Sequence, residues 1–127
     1  MITFGNSMEL ASKSLDFLWK KESAISDNLS NVETPGYKAK LVTFEEEFQS
    51  RLDEAMQGGS RQEIRDAIRT ARYKISSSKE ESTRADGNNV NADTQLMEMT
   101  RTAMQYQYML SSVSSTIAML NTVIRGQ

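Results

Sequence analysis

Apolar residues recur along the two ends of the chain at alternating steps of three and four. At the N-terminal end the series is Phe4, Met8, Ala11, Leu15, Leu18, Glu22, Ile25, Leu29 and Val32, interrupted only by Glu22. At the C-terminal end it is Leu96, Met99, Ala103, Tyr106, Leu110, Val113, Ile117, Leu120 and Ile124, without interruption. A 3.5-residue repeat held over this length describes a coiled-coil seam on a long helix. At 1.5 Å per residue each helix would be roughly 40–45 Å long. Two matched seams can bury each other, antiparallel or staggered, with the intervening residues as the connection. Two helices facing the core of a small bundle would produce a similar pattern.

The pattern changes at Pro35, which has no N–H and disfavours helix at Thr34. Pro35-Gly36 fits the centre of a type II turn, where glycine supplies the positive φ. From there to about residue 92 the chain predicts short pieces. Thr43-Phe44-Glu45-Glu46 matches a capping box that could open a short helix carrying Phe44, Phe48 and Leu52. Ser60-Arg61-Gln62-Glu63 matches another, opening a helix with Ile64, Ala67, Ile68 and Ala71 inward. Gly58-Gly59 separates the two. Tyr73-Lys74-Ile75 is strand-like but short, enough for one arm of a small β hairpin. Ser76 to Arg84 reads as a mobile polar loop, and Asp86-Gly87-Asn88-Asn89 as a turn. Asn91 or Asp93 would cap the last helix. The expected fold is therefore mainly α. Residues 1–34 and 93–127 are coiled-coil helices, and residues 35–92 form a small irregular middle region.

Composition narrows the chemistry. The 127 residues contain no cysteine and no histidine, and the formal net charge is −2. Thiolate and imidazole metal sites, disulfides, and nucleophiles activated by histidine are excluded. No global basic excess suits nucleic acid, and no convergent polar pocket suggests a small-molecule substrate or an enzyme. The start of the chain lacks the basic and apolar regions of a secretory signal, and no apolar run is long enough for a membrane span.

Several features have both an ordinary and a functional reading. Arg61, Arg65, Arg69 and Arg72 could contact an anion, but Glu63 and Asp66 lie among them and favour a solvated face. Glu45, Glu46 and Glu47 point in different directions on a helix and make a poor cation cage. The Asn28-Leu29-Ser30 acceptor pattern falls inside a helix. Met97, Met99, Met104, Met109 and Met119 suit packing or an adaptable interface.

The most informative feature is an absence. From Thr102 to Ile124 there is no charged residue, and the positions off the seam hold Ser111, Ser112, Ser114, Ser115, Thr116, Asn121 and glutamines. A solvent-facing coil would carry Glu and Lys there. Burying small hydroxyls costs far less than burying charge, so this helix is suited to burial on more than one side in an assembly.

The run Asn28-Leu29-Ser30-Asn31-Val32-Glu33-Thr34-Pro35-Gly36-Tyr37-Lys38-Ala39 resembles the signature of the flagellar rod, hook and hook-associated axial proteins. In that family the signature directly follows the N-terminal helix, as here. Asp86-Gly87-Asn88-Asn89-Val90 before a heptad helix is similar to the rod members in particular. The resemblance covers about half of the chain, at both ends. It does not reach the middle, and Asn91, Thr94 and Gln95 stand where acidic residues are common in the family.

The resemblance implies a structural subunit with no catalytic role, no cofactor and no metal. It implies export through the flagellar type III apparatus, for which Phe4 and Met8 resemble a short gate-recognition pattern. It further implies terminal helices that fold on assembly and a place at the base of the basal-body rod, outside the cytoplasmic membrane, after synthesis in the cytoplasm. Partners would be other rod subunits, further copies of the chain, a FliE-type adaptor and the export gate. Asn28, Asn31, Thr34, Pro35, Gly36 and Tyr37, with Asp86 to Val90, would be the structural signature, and both seams the polymerisation surfaces. A helical adaptor or chaperone of a secretion system is the alternative.

Overall fold

The computed structural model describes residues 4–44, 53, 54 and 57–126. Within them the chain forms α1 (Phe4–Ser30), β1 (Lys40–Phe44), α2 (Arg61–Thr70), β2 (Tyr73–Ser77) and α3 (Ala92–Arg125). The protein is mainly helical, with one small antiparallel sheet that pairs Lys40 with Ser77 and Phe44 with Tyr73.

α1 is the element on which the others are placed. Its first half receives α2: Asn6 donates to the Arg61 carbonyl at 3.3 Å, and Lys13 donates to the Arg69 and Ala71 carbonyls at 3.2 and 3.3 Å. Ile64, Ile68 and Ala71 form a buried cluster closed by Leu10 and Phe44. The rings of Phe17 and Phe44 stack with centroids 4.3 Å apart, fixing the end of β1 on the helix. Burying each isoleucine contributes about 1.5–3 kcal/mol, so these few side chains carry much of the middle region's stability.

α3 runs antiparallel along α1. Asn28 meets Gln95, Lys21 meets Glu98, and Ser14 to Leu18 share an apolar groove with Met104 to Met109. The α1 residues Met8, Ala11, Leu15, Leu18, Ile25 and Leu29, and Val32 in the turn after it, are buried or half-buried, as their spacing predicts. On α3 the buried side is rotated from the predicted seam. It runs through Gln95, Met99, Thr102, Tyr106, Met109, Val113 and Thr116. Leu96, Leu110 and Ile117 remain 53 %, 42 % and 43 % exposed. From Ile117 to Gly126 every residue is exposed.

Local signals explain the boundaries. Ser60 caps α2 with a complete capping box, accepting from the Glu63 N–H at 3.3 Å while the Glu63 carboxylate accepts from Ser60 N–H. Asn91, rather than Asp93, caps α3 through the Thr94 N–H at 3.1 Å, and Asp93 then lies in the first turn beside the positive end of the helix dipole. Gly126 ends α3 in the left-handed conformation, φ 68°.

Two expectations change. Thr43 and Phe44 do not open a helix. They finish β1, because Phe44 packs on Phe17 and the Ile64 cluster. The remainder of that expected helix, with Phe48 and Leu52, lies outside the described residues. The polar stretch after Ile75 begins as strand: Ser76 and Ser77 pair with β1, and the Ser78 N–H donates to the Ala39 carbonyl at 2.7 Å. The two strands are not a tight hairpin, since α2 lies between them in sequence.

Ile68→Ala should lower the unfolding free energy by about 2–5 kcal/mol in urea titrations. Ile75→Ala, at a position 55 % exposed, should change it by less than about 1 kcal/mol.

Candidate assembly junction

The two motifs lie about 50 residues apart in sequence and form one hydrogen-bonded junction at the C-terminal end of α1. Asn28, fully buried in the last turn of that helix, is its centre. Its Nδ2 donates to the Lys40 carbonyl and to Gln95 Oε1, each at 2.9 Å. Its Oδ1 accepts from the Lys40 N–H at 2.7 Å and from the Tyr37 hydroxyl at 3.2 Å. A carboxamide offers two donors and two acceptor lone pairs, and all are used. One side chain thus ties α1 to β1, to the turn after the helix and to the first turn of α3.

The chain leaves α1 through a turn closed by Asn31. Its Nδ2 donates to the Asp27 carbonyl at 2.8 Å, and its Oδ1 accepts from the Thr34 hydroxyl at 3.1 Å. Pro35 and Gly36 occupy the next turn, closed by the Tyr37 N–H on the Thr34 carbonyl at 3.3 Å, with Gly36 at φ 71°. The second motif docks here. The Gly36 N–H donates to the Asp86 carbonyl at 2.7 Å, and Asn89 N–H to the Tyr37 carbonyl at 3.2 Å. Asn89 Oδ1 accepts from the Ala39 N–H at 2.7 Å. Gly87, at φ 78°, turns its face to Gly36: a Cβ on Gly87 would lie 3.7 Å from the Gly36 Cα.

Asn88 mirrors Asn28. It is buried, donates to the Asn31 and Thr34 carbonyls at 2.9 and 2.8 Å, and accepts from the Val90 N–H at 2.8 Å. Buried backbone groups without partners are costly. In this turn-rich region asparagine side chains replace the ladder that a helix or sheet would supply. Every signature residue named from the sequence therefore lies at or beside this junction. The α3 seam residues lie elsewhere: Met99, Tyr106 and Val113 are half-buried on the side facing α1, and Leu96, Ala103, Leu110, Ile117, Leu120 and Ile124 are exposed.

Pattern reading missed four contributors. Arg84, in the run expected as a loop, donates to the Val32 carbonyl at 2.6 Å and pairs with Asp86 at 2.8 Å and Glu33 at 3.6 Å. Its only sequence cue is its place two residues before Asp86. Gln95 supplies the α3 end of the Asn28 network. Asn6 is buried against α2, bonded to Arg61 and, at 3.5 Å, to Arg65. Lys40 uses both backbone groups on Asn28 and pairs its ammonium with Asp27 at 2.7 Å. That hydrogen bond and the carboxylate's charge hold Lys40 above the ordinary lysine value.

Among the described residues, no group of three acidic side chains is placed to hold a metal ion. The arrangement is a structural clasp.

The chain is 29 % identical over 109 residues to the flagellar basal body rod protein FlgB of Bacillus subtilis, covering 84 % of this chain and 83 % of that protein. It is 24 % identical over 140 aligned positions to FlgB of Borreliella burgdorferi, covering 98 % and 100 %. A shorter stretch of 52 residues is 42 % identical to FlgB of Borrelia hermsii, covering 41 % of this chain and 38 % of that one. All three relatives are flagellar basal body rod proteins. No family model matches the chain. The similarity to these FlgB proteins agrees with the resemblance carried by the two motifs.

The junction can be tested through protonation. Asn28→Asp removes both donors and places a carboxyl group against the Lys40 carbonyl and Gln95 Oε1. Such a group's folded pKa rises above its unfolded value of about 3.9. The stability deficit relative to the parent should be about 3 kcal/mol at pH 7. It should shrink as pH falls through the raised pKa, read by urea titration at several pH values.

The helix pair carries the opposite dependence. A hydrogen bond from Lys21, 2.7 Å away, with smaller charge effects from Lys21 and Arg101, holds the Glu98 carboxyl below its ordinary value. A lowered folded pKa gives stability that is present above the unfolded value, about 4.3, and lost as pH falls through the folded one. Glu98→Gln should flatten this acid limb of the stability curve.

Proposed function

We propose that this chain is a structural, non-catalytic subunit of the bacterial flagellar basal-body rod. In this reading it is exported by the flagellar type III apparatus, polymerises through its terminal helices and is required for motility. The observation that carries the reading is the outer side of α3. It has no charge from Thr102 to Ile124 and exposes Leu110, Ile117, Leu120 and Ile124. A monomer leaves such a surface in water at a cost of about 25 cal/mol per Å² of apolar area. A neighbouring helix removes that cost.

The exposed part of the predicted α3 seam, Leu96, Ala103, Leu110, Ile117, Leu120 and Ile124, is then the contact made between subunits, while Met99, Tyr106 and Val113 contribute to the contact made with α1. Together they form the coiled-coil layer of the assembled rod. Heterologous contacts that do not close into a ring generate a helical tube. The junction of Asn28 and Asn88 fixes the direction in which the middle region leaves that layer. Partners in this reading are other rod subunits, further copies of the chain, a FliE-type adaptor and the export gate. The names of the three FlgB relatives support a rod role.

Deleting the gene in its host should abolish swimming and leave purified basal bodies without rods. Complementation with Leu110→Glu should fail to restore rods, because a carboxylate would be buried between helices. Normal motility with intact rods, and no second gene copy, would overturn the rod reading in favour of a secretion-system adaptor.

A further inference from the structure

Among the described residues the sheet has two strands, and its two edges are treated differently. The Ser78 N–H donates to the Ala39 carbonyl. With the register Leu41–Ser76 and Thr43–Lys74, alternation places the ladder bonds at residues 39, 41 and 43 of the first strand. The even positions of β1 point the other way, and that edge is closed at Lys40 by Asn28, which binds both its N–H and its C=O. On β2 the outward groups belong to Tyr73, Ile75 and Ser77. Among the described residues no hydrogen bond takes them up.

Edges of this kind are usually blunted by proline, a bulge, a cover or charged side chains. β2 is five residues long and in register throughout, and among the described residues it has no proline, bulge or cover; Lys74 is its one charge. Ile75 is paired with the buried Val42, yet is itself 55 % exposed, and no third strand lies beside it among the described residues. Charge is one-sided as well. Between Asp66 and Glu80 the chain carries Arg69, Arg72, Lys74 and Lys79 and no acidic residue. No ion pair engages these four among the described residues.

The geometry points to the free edge of β2 as a strand acceptor. Its occupant is an extended segment of another protein, alternating apolar and acidic residues. Backbone N–H and C=O groups at two-residue spacing are satisfied by an extended chain and not by a helix face. An apolar side chain of the incoming strand covers Ile75, and a carboxylate sits opposite Lys74, where a cation would be repelled. A third strand also brings the sheet to the size at which strands over a helix become independently stable. This surface lies apart from the α3 seam and does not depend on the rod reading.

The test uses the purified full chain, with a short synthetic peptide alternating valine and glutamate as the probe. Titration should give saturable amide shifts and hydrogen-exchange protection at Tyr73, Ile75 and Ser77. The same peptide N-methylated on the edge-facing amides should give neither. Ile75→Pro removes an N–H that β1 does not use and should abolish binding, read at Tyr73 and Ser77. Lys74→Glu should weaken the acidic peptide by roughly two- to fivefold, the range of one cross-strand pair, and favour a valine–lysine peptide instead. The proposal is overturned by unprotected amides at Tyr73, Ile75 and Ser77, by equal binding of the N-methylated peptide, or by a preference that Lys74→Glu leaves unchanged. Protection that rises with protein concentration alone, without peptide, would overturn the assigned occupant in favour of a second copy.

Discussion

The four hydrogen bonds of Asn28 are the constraint on which the rest of the architecture depends. α1 ends at Ser30, and the chain must reverse, form a strand and later return to start α3 beside the same point. Each of those segments brings backbone groups that no regular element satisfies. Asn28 binds the first residue of β1 through both of its main-chain groups and holds Gln95 in the first turn of α3. Glutamine or aspartate could not reproduce this. One is a methylene too long, and the other lacks donors.

Around that point the two motifs act as a single turn-rich unit. Asn88 takes the Asn31 and Thr34 carbonyls, and Arg84 takes the Val32 carbonyl, so the unsatisfied end of α1 is capped by residues from the far side of the sequence. Gly36 and Gly87 both adopt positive φ, a conformation that residues with a side chain rarely take. The junction is rigid in the sense that its members share partners, so loss of one would leave several groups unpaired.

The helix pair presents a contrast. Its inner contact is modest: half-buried Met99, Tyr106 and Val113, one buried threonine and the Lys21–Glu98 pair. From Thr102 to Ile124 the outer side of α3 carries no charge and exposes Leu110, Ile117, Leu120 and Ile124. A protein with this distribution has a well-determined joint and an under-covered helix. That combination suits a subunit whose direction is set internally and whose stability is completed by neighbours.

The sequence by itself determined the long terminal helices, the stop at Pro35, the capping box at Ser60, a cap at Asn91 or Asp93, the uncharged face of α3 and the two motifs. Each of these is local, written in periodicity or in the conformational limits of proline, glycine and asparagine. Tertiary structure decided the rest. Thr43 and Phe44 became strand because Phe44 packs on Phe17 and the Ile64 cluster, which outweighs a capping pattern. The inner face of α3 turned away from its strongest apolar row because α1 offers Asn28, Lys21 and Glu22 as well as leucines, so Gln95, Glu98 and Thr102 face it. That Asn28 and Asn88 belong to one clasp follows from long-range pairing, which no spacing within either motif encodes.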